Sequence, residues 1–374
     1  MNRLFSKIYG CEAACTIGNS MGDVTELLTW EQIEERFGFV DTLLPQTKWG
    51  PNGEYEDRTW KAEGLGPDLK WYKHKRPPGM TEDGHERHRL CTSAILKKGG
   101  RIDIIDLAKT FLEDIDPNKF GYLLGPQDQV IYYAIKAGVP PWEVGRYASW
   151  PGLIGTSKMI LPVGMVNACN PEQAAKDAHD LGRIKDVRGV QGNYAIEVCA
   201  AIAAACAEAL KPDATVDSVI DTALEQLSWR PRQEVEVGLN WARNADDWKE
   251  LRPLYQERYR NLSMSNAVEV LSGALACLYM AEGKPRETLL YCVNFGRDTD
   301  CKAYVGGGLA GALSGIEAVP ADWVKTIEEQ VVNDPYTVSR RTAREAAEGL
   351  YKAAINTMKK MKDTVSLIES MIEG

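Results

Sequence analysis

Three short stretches, far apart in the chain, set carboxylates beside small residues. Residues 18–26 read Gly-Asn-Ser-Met-Gly-Asp-Val-Thr-Glu, residues 80–84 read Met-Thr-Glu-Asp-Gly, and residues 295–301 read Phe-Gly-Arg-Asp-Thr-Asp-Cys. Hard divalent cations take about six oxygen ligands, which a fold must gather from several segments, so separated acid-bearing runs are candidates for such a site. Each run alone has a plainer explanation. Thr81, Glu82 and Asp83 precede a helical stretch, where a side-chain oxygen can accept orphan backbone N–H groups, and Asp298 and Asp300 invite the same account. The Asp298 and Asp300 pair asks for more, because two neighbouring acids repel unless a cation or a basic partner offsets them. Arg297 is the adjacent basic residue. Zinc matches less well: His85 and His88 stand one helical turn apart with no third ligand near them in sequence, and read as surface or supporting groups.

Positioning such groups falls to helices. Ile104, Leu107, Ala108 and Phe111 recur at helical spacing, and Asn170-Pro171-Glu172 has the form of a helix start. Residues 193–210 are Ala-rich with Glu197 and Glu208 as the charges, which suits a central helix, and residues 265–282 are similar. Five glycines among residues 306–315 would weaken an exposed helix but allow very close backbone packing. Residues 342–372 read as amphipathic helix, and strand signals are rare. The expectation is an all-α, single compact multi-helix domain over residues 1–374. Residues 38–80 are an inserted loop or lid, for they hold six glycines, five prolines, Trp49, Trp60 and Trp71. Within it, Lys73, His74, Lys75 and Arg76 are either solvated or placed to meet an anionic group. Trp229, Trp241, Trp248, Tyr255 and Tyr259 read as core, or as a stacking wall for a base or sugar.

Composition narrows the function classes. With 374 residues, 44% hydrophobic and 26% charged, the chain has ample material for a large core. Lys+Arg 44 against Asp+Glu 53 gives a net charge of −9, which repels nucleic acid. Nine cysteines without a Cys-x-x-Cys pair suit reduced thiols and a cytoplasmic location. Glu12 interrupts the amino-terminal apolar run of an export signal, and residues 198–207 and 270–281 fall short of the roughly 20 a membrane helix requires. No membrane partner is expected.

Taken in order, the three runs resemble the motifs of the ADP-ribosylglycohydrolase family, the enzymes of dinitrogen-reductase-activating glycohydrolase and ADP-ribosyl-acceptor hydrolase type. The first family motif, G-D-A-x-G-x-x-x-E, is similar to residues 18–26, with Asn19 in the Asp position and Glu26 at the functional glutamate. The second, T-D-D, is similar to Thr81, Glu82 and Asp83, and the third, G-[GR]-D-x-D-[TS] with its small-residue helix, to residues 296–315. Residues 151–164 resemble the family's N-G-x-x-M-R-x-x-P-x-G loop.

The resemblance implies an all-α globule whose helix ends converge on two Mg²⁺ or Mn²⁺ ions beside the ribose hydroxyls, and a hydrolysed glycosidic bond. It implies Thr81, Glu82, Asp83, Asp298, Asp300 and Cys301 as metal positions, and Glu26, Asp83 and Asp300 as catalytic positions. Gly155, Thr156, Ser157, Asp128 and Arg297 become substrate-binding positions. Cys301 sets soft sulfur where a hydroxyl is usual, which makes the second ion's position the weaker one. Two alternatives remain: a small-molecule N- or O-glycosidase without ADP-ribose specificity, and a catalytically silent, crystallin-like binding protein.

Overall fold

The computed structural model describes residues 1–47, 58–60, 68–72, 74–147, 150–187 and 193–372. Among them the chain forms sixteen α-helices: α1 (Arg3–Gly22), α2 (Trp30–Phe37), α3 (Asp83–Lys98), α4 (Ile104–Asp114), α5 (Pro126–Lys136), α6 (Leu161–Val166), α7 (Pro171–Gly182) and α8 (Ala195–Ala209), then α9 (Val216–Glu225), α10 (Trp229–Asn244), α11 (Leu251–Tyr259), α12 (Ala267–Met280), α13 (Pro285–Val293), α14 (Thr299–Ser314), α15 (Ala321–Val331) and α16 (Ala343–Ile372). The all-α expectation holds. Asn170 caps α7 by accepting the Gln173 N–H, with Pro171 at the first turn.

The centre of the molecule is the contact between α1 and α14, and glycine makes it. A Cβ on Gly10 would lie 2.4 Å from the Gly311 carbonyl oxygen, and one on Gly22 would lie 2.3 Å from Asp300 Cα. Helices approach this closely where a side chain is missing at the contact, so Gly10, Gly22 and Gly311 let backbone pack on backbone, while Gly306, Gly307 and Gly308 make room chiefly for the side chains of Cys292, Leu289 and Leu161. The consequence reaches the chemistry, because the last turn of α1 is pressed against the first turn of α14. Around this pair, the apolar helices α8 and α12 are buried on nearly every side. One connected hydrophobic core runs from Ile8 to Ala353.

Four short strands depart from the helical expectation. β1 (Gln46–Thr47) pairs antiparallel with β4 (Lys75–Arg76), and β2 (Arg58–Trp60) with β3 (Leu69–Trp71). Strands of two or three residues carry too little alternation to be read from sequence. Trp49, Lys73 and the Trp60 side chain lie outside the described residues. Arg76 is neither solvated nor free for a ligand: it is buried, donating to the Thr81 carbonyl and to Asp334.

Trp248, Tyr255 and Tyr259 are core residues, and Trp241 packs against the core. Trp229 is 70% exposed, so the reading of it as core does not hold. Among the described residues, no helix is long and apolar enough to cross a membrane.

Candidate active site

Two helix N-termini meet beside the end of α1. Glu82 caps α3 through its carboxylate, which accepts the Gly84 N–H at 2.9 Å. Asp298 caps α14, its Oδ1 accepting the Cys301 N–H at 3.2 Å. Asn19, from the last turn of α1, joins the two. Its Oδ1 accepts the Glu82 N–H at 3.0 Å, and its Nδ2 donates to Glu82 Oε1 and, at 3.4 Å, to Asp300 Oδ2.

Capping does not account for the whole arrangement. An N-cap contributes about 1 kcal/mol. One oxygen each from Asp298 and Asp300 and the Cys301 sulfur lie within 4.8 Å of one another. At that range two ionised carboxylates repel by about 3–4 kcal/mol at an effective dielectric of 20. The repulsion outweighs the cap, so the pair requires a positive charge. Both acids are fully buried, and Asp298 Oδ2 and Asp300 Oδ1 have no hydrogen-bond partner among the described residues. Burial, with Asp298 adding and Lys158 opposing, pushes the Asp300 carboxyl up to about 6.

The positive charge that the structure supplies is Lys158, not Arg297. The Arg297 guanidinium is turned to Glu269, with Nε–Oε1 at 2.6 Å and Nη2–Oε2 at 2.8 Å, and so is committed elsewhere. Lys158, on the short helical segment Ile154–Met159, is 2% exposed and donates to both Glu82 Oε1 and Asp300 Oδ2. Desolvation works against its charge, but the surrounding acids, Asp300 foremost, hold its ammonium well above the usual range. Lys158 is the one charged residue in residues 151–164, and a lone lysine amid apolar and small residues was the signal available in the sequence.

Glu26 reaches the same place by a strained turn. Leu27 donates to the Arg297 carbonyl at 2.8 Å and Arg297 donates to the Leu28 carbonyl at 2.6 Å, which staples the Glu26 segment to the residue before Asp298. Leu27 and Arg297 both adopt left-handed backbone, with φ of 61° and 67°. Such conformations cost about 1–3 kcal/mol for residues with side chains, and the Arg297–Glu269 pair is the local contact that holds this one. Burial first, then Asp300 and Asp298, raises the Glu26 carboxyl well above the usual range.

A cavity of about 330 Å³ opens onto these groups, lined by Glu26, Asp83, Asp298, Cys301, Lys158, Trp71 and Trp150, among others. Arg87 and Lys185 form its second charged region. Arg87 holds Asp128 with bonds of 2.7 and 2.8 Å and Asp83 with one of 2.8 Å. Asp83 therefore lines the cavity tied to a guanidinium, and Asp128 is fully buried behind it. Gly155 borders Lys185 and Arg87, where a Cβ would lie 2.3 Å from Lys185 Nζ. Burial, with Arg87 adding to it, lowers the Lys185 amine to about 8. Trp150, Arg87 and Lys185 carry no motif, and nothing in the linear sequence marked them.

The remaining expected positions face elsewhere. The Thr81 hydroxyl accepts from Arg89 at 2.9 Å. The Thr156 hydroxyl donates to Asp186 at 2.6 Å, and the Ser157 hydroxyl donates to the Ala195 carbonyl at 3.4 Å. These hydroxyls brace the loop that carries Gly155 and Lys158. His85 and His88 are buried, not on the surface, and Cys15 lies near them. Both His88 ring nitrogens are engaged, Nδ1 with Tyr304 and Nε2 with Glu12, which makes the group a hydrogen-bonded core cluster.

The family model described as ADP-ribosylglycohydrolase matches residues 1–359. Over 336 residues the chain is 24% identical to "Uncharacterized protein YegU" of Escherichia coli (strain K12), covering 85% of this chain and 89% of that protein. A solved structure titled "ADP-ribosylglycohydrolase-related protein complex" superposes with a TM-score of 0.66 at 18% identity, covering 95% of this chain and 100% of that one. At that identity the structural likeness speaks for the fold.

Proposed function

The chain belongs to the ADP-ribosylglycohydrolase family, glycosyl hydrolases of ribosylated substrates, and from that premise we propose that it cleaves the bond between an ADP-ribosyl or related ribosyl group and its leaving group, dependent on Mg²⁺ or Mn²⁺. The observation that carries the reading is the pair of buried carboxylate oxygens, Asp298 Oδ2 and Asp300 Oδ1, without partner among the described residues, on two acids of which Asp298 lines the cavity. Oxygen donors of this kind suit a hard cation, and Asp298, Asp300 and Glu26 are the residues that would hold it. When bound, the cation supplies Lewis acidity and fixed positive charge.

The chain's own residues do the rest. Glu26 lines the cavity together with Asp298, and we assign to it the proton taken from the attacking water. The water oxygen then bonds the anomeric carbon as the glycosidic bond breaks, and the leaving group acquires the proton. Trp71 and Trp150 offer apolar faces to a sugar or base. Lys185 offers positive charge to phosphate, and Arg87, shared between Asp83 and Asp128, holds those acids beside it.

A second reading, a small-molecule ribosidase, draws support from the modest cavity of about 330 Å³. The purified protein, given ADP-ribosylated arginine or serine and plain ribosides with Mn²⁺ or with chelator, tests both. Release of ADP-ribose that chelator and Asp298→Asn abolish supports the first; turnover of ribosides alone supports the second.

A further inference from the structure

Lys158 sits where a cation would otherwise be needed. Its ammonium bridges Glu82 Oε1 and Asp300 Oδ2, one oxygen from each of two acids carried by different helix N-termini. Glu82 Oε1 also accepts from Asn19 Nδ2 and the Gly84 N–H, so three donors converge on that one oxygen. A carboxylate oxygen has few lone-pair directions, and one filled by three N–H donors offers little to a metal. A slot is built for the lysine. At Gly84, the second residue of α3, a Cβ would lie 2.1 Å from Lys158 Cε and 2.5 Å from its Nζ. An ammonium at the positive end of α3 is of the wrong sign for the helix dipole, so the site tolerates it only through its acids.

The other side of the nest is different in kind. Asp298 Oδ2 and Asp300 Oδ1 are buried with no donor among the described residues, although Lys158 already contacts the same Asp300 carboxylate through Oδ2. Glu26, Glu82, Asp298 and Asp300 lie within electrostatic reach of one another, and the Lys158 ammonium faces Asp300 and Glu82 among them. Lys158 leaves one oxygen of each aspartate without a donor among the described residues, and these orphaned oxygens mark where a cation would bind.

We infer that this chain replaces one ion of a two-ion centre with the Lys158 ammonium and binds a single divalent cation, on the Asp298, Asp300 and Glu26 side. The inference rests on the metal-dependent reading above but concerns how many ions the nest accepts. A fixed ammonium supplies charge without open coordination positions, so the resident metal ion is left with the work that requires such positions.

Mn²⁺ titration of the whole protein, followed by calorimetry, metal analysis of the dialysed complex and electron paramagnetic resonance, reads the number directly. One Mn²⁺ per chain with the six-line spectrum of an isolated ion is expected. Two per chain with a spin-coupled spectrum, as for ions about 3.5–4 Å apart, overturns the inference, and so does the absence of binding. Lys158→Ala removes the ammonium and empties its slot, and is expected to admit a second, coupled ion. A folded Lys158→Ala protein that still binds one ion overturns the role given to the lysine.

Should that variant not fold, Glu82→Gln and Asp298→Asn decide. Glu82→Gln is expected to keep the single ion within a few-fold of wild-type affinity, while Asp298→Asn loses it at least a hundred-fold. An equal loss in both would put the ion in the lysine's position and end the proposal. No substrate enters these measurements. A protein that binds one ion and hydrolyses nothing sinks the proposed reaction alone, and an active protein with two ions sinks this inference alone.

Discussion

Glu26→Gln keeps the side chain's size and removes its ability to carry a proton to or from water. Steady-state release of product is expected to fall about 10²–10⁴-fold, with the fold unchanged by circular dichroism. Lys185 gives a pH signature of its own. Its amine titrates at about 8 in the folded protein, against 10.5 ordinarily, first through burial and then through Arg87. Below pH 8 the cavity presents an ammonium, and above it a neutral amine. Binding of ADP-ribose by calorimetry is therefore expected to weaken by up to about tenfold between pH 8 and 9, and Lys185→Met to remove that dependence. The sign for stability is opposite. A lowered lysine pKa means that burying the charge costs folding free energy in full below pH 8, and the cost fades toward 10.5. Lys185→Met should therefore melt higher than wild type at pH 7. The acids of this site were legible because Asp298 and Asp300 stand two residues apart inside a recognisable run. Lys158 left only the faint mark of one charge in an apolar run, and Lys185 left none, since a single lysine acquires meaning when folding buries it beside acids or arginine.

Packing between α1 and α14 sets the site's precision. Gly311→Ala would place a methyl 2.1 Å from the Gly10 carbonyl oxygen, backbone that has nowhere to go. Overpacking of this kind costs about 1–3 kcal/mol, read as a lowered urea midpoint, and metal affinity should fall with it because Asn19 and Asp300 ride on the two helices. Gly138→Ala, where the added carbon meets nothing but φ is +88°, is a control for backbone strain without the clash. Helices were readable from apolar spacing and from caps such as Asn170. The direction in which α3 and α14 point their N-termini was not, because convergence is decided by tertiary packing. Asp298 and Glu82 do cap their helices, as the simplest reading had it, and they also line the acid nest; one residue performs both tasks.

Across the whole molecule, one core ties the beginning of the chain to its last helix, but not to that helix's end. Residues 358–372 of α16 are exposed throughout, including Met361, Val365 and Ile368. Truncation after Thr357 is expected to leave the unfolding free energy within about 0.5 kcal/mol of the full chain, and turnover intact. The α1–α14 contact has the opposite character. Gly22 and Thr299, joined by a hydrogen bond at 2.9 Å, are 277 positions apart. At synthesis rates of about 5–20 residues per second, α1 leaves the ribosome roughly 15–55 s before its partner exists. Its glycine-and-alanine face must wait that long without a mate, so an unfinished polypeptide cannot acquire activity prematurely, and a nonsense mutation anywhere before α14 should yield a product with no chemistry at all.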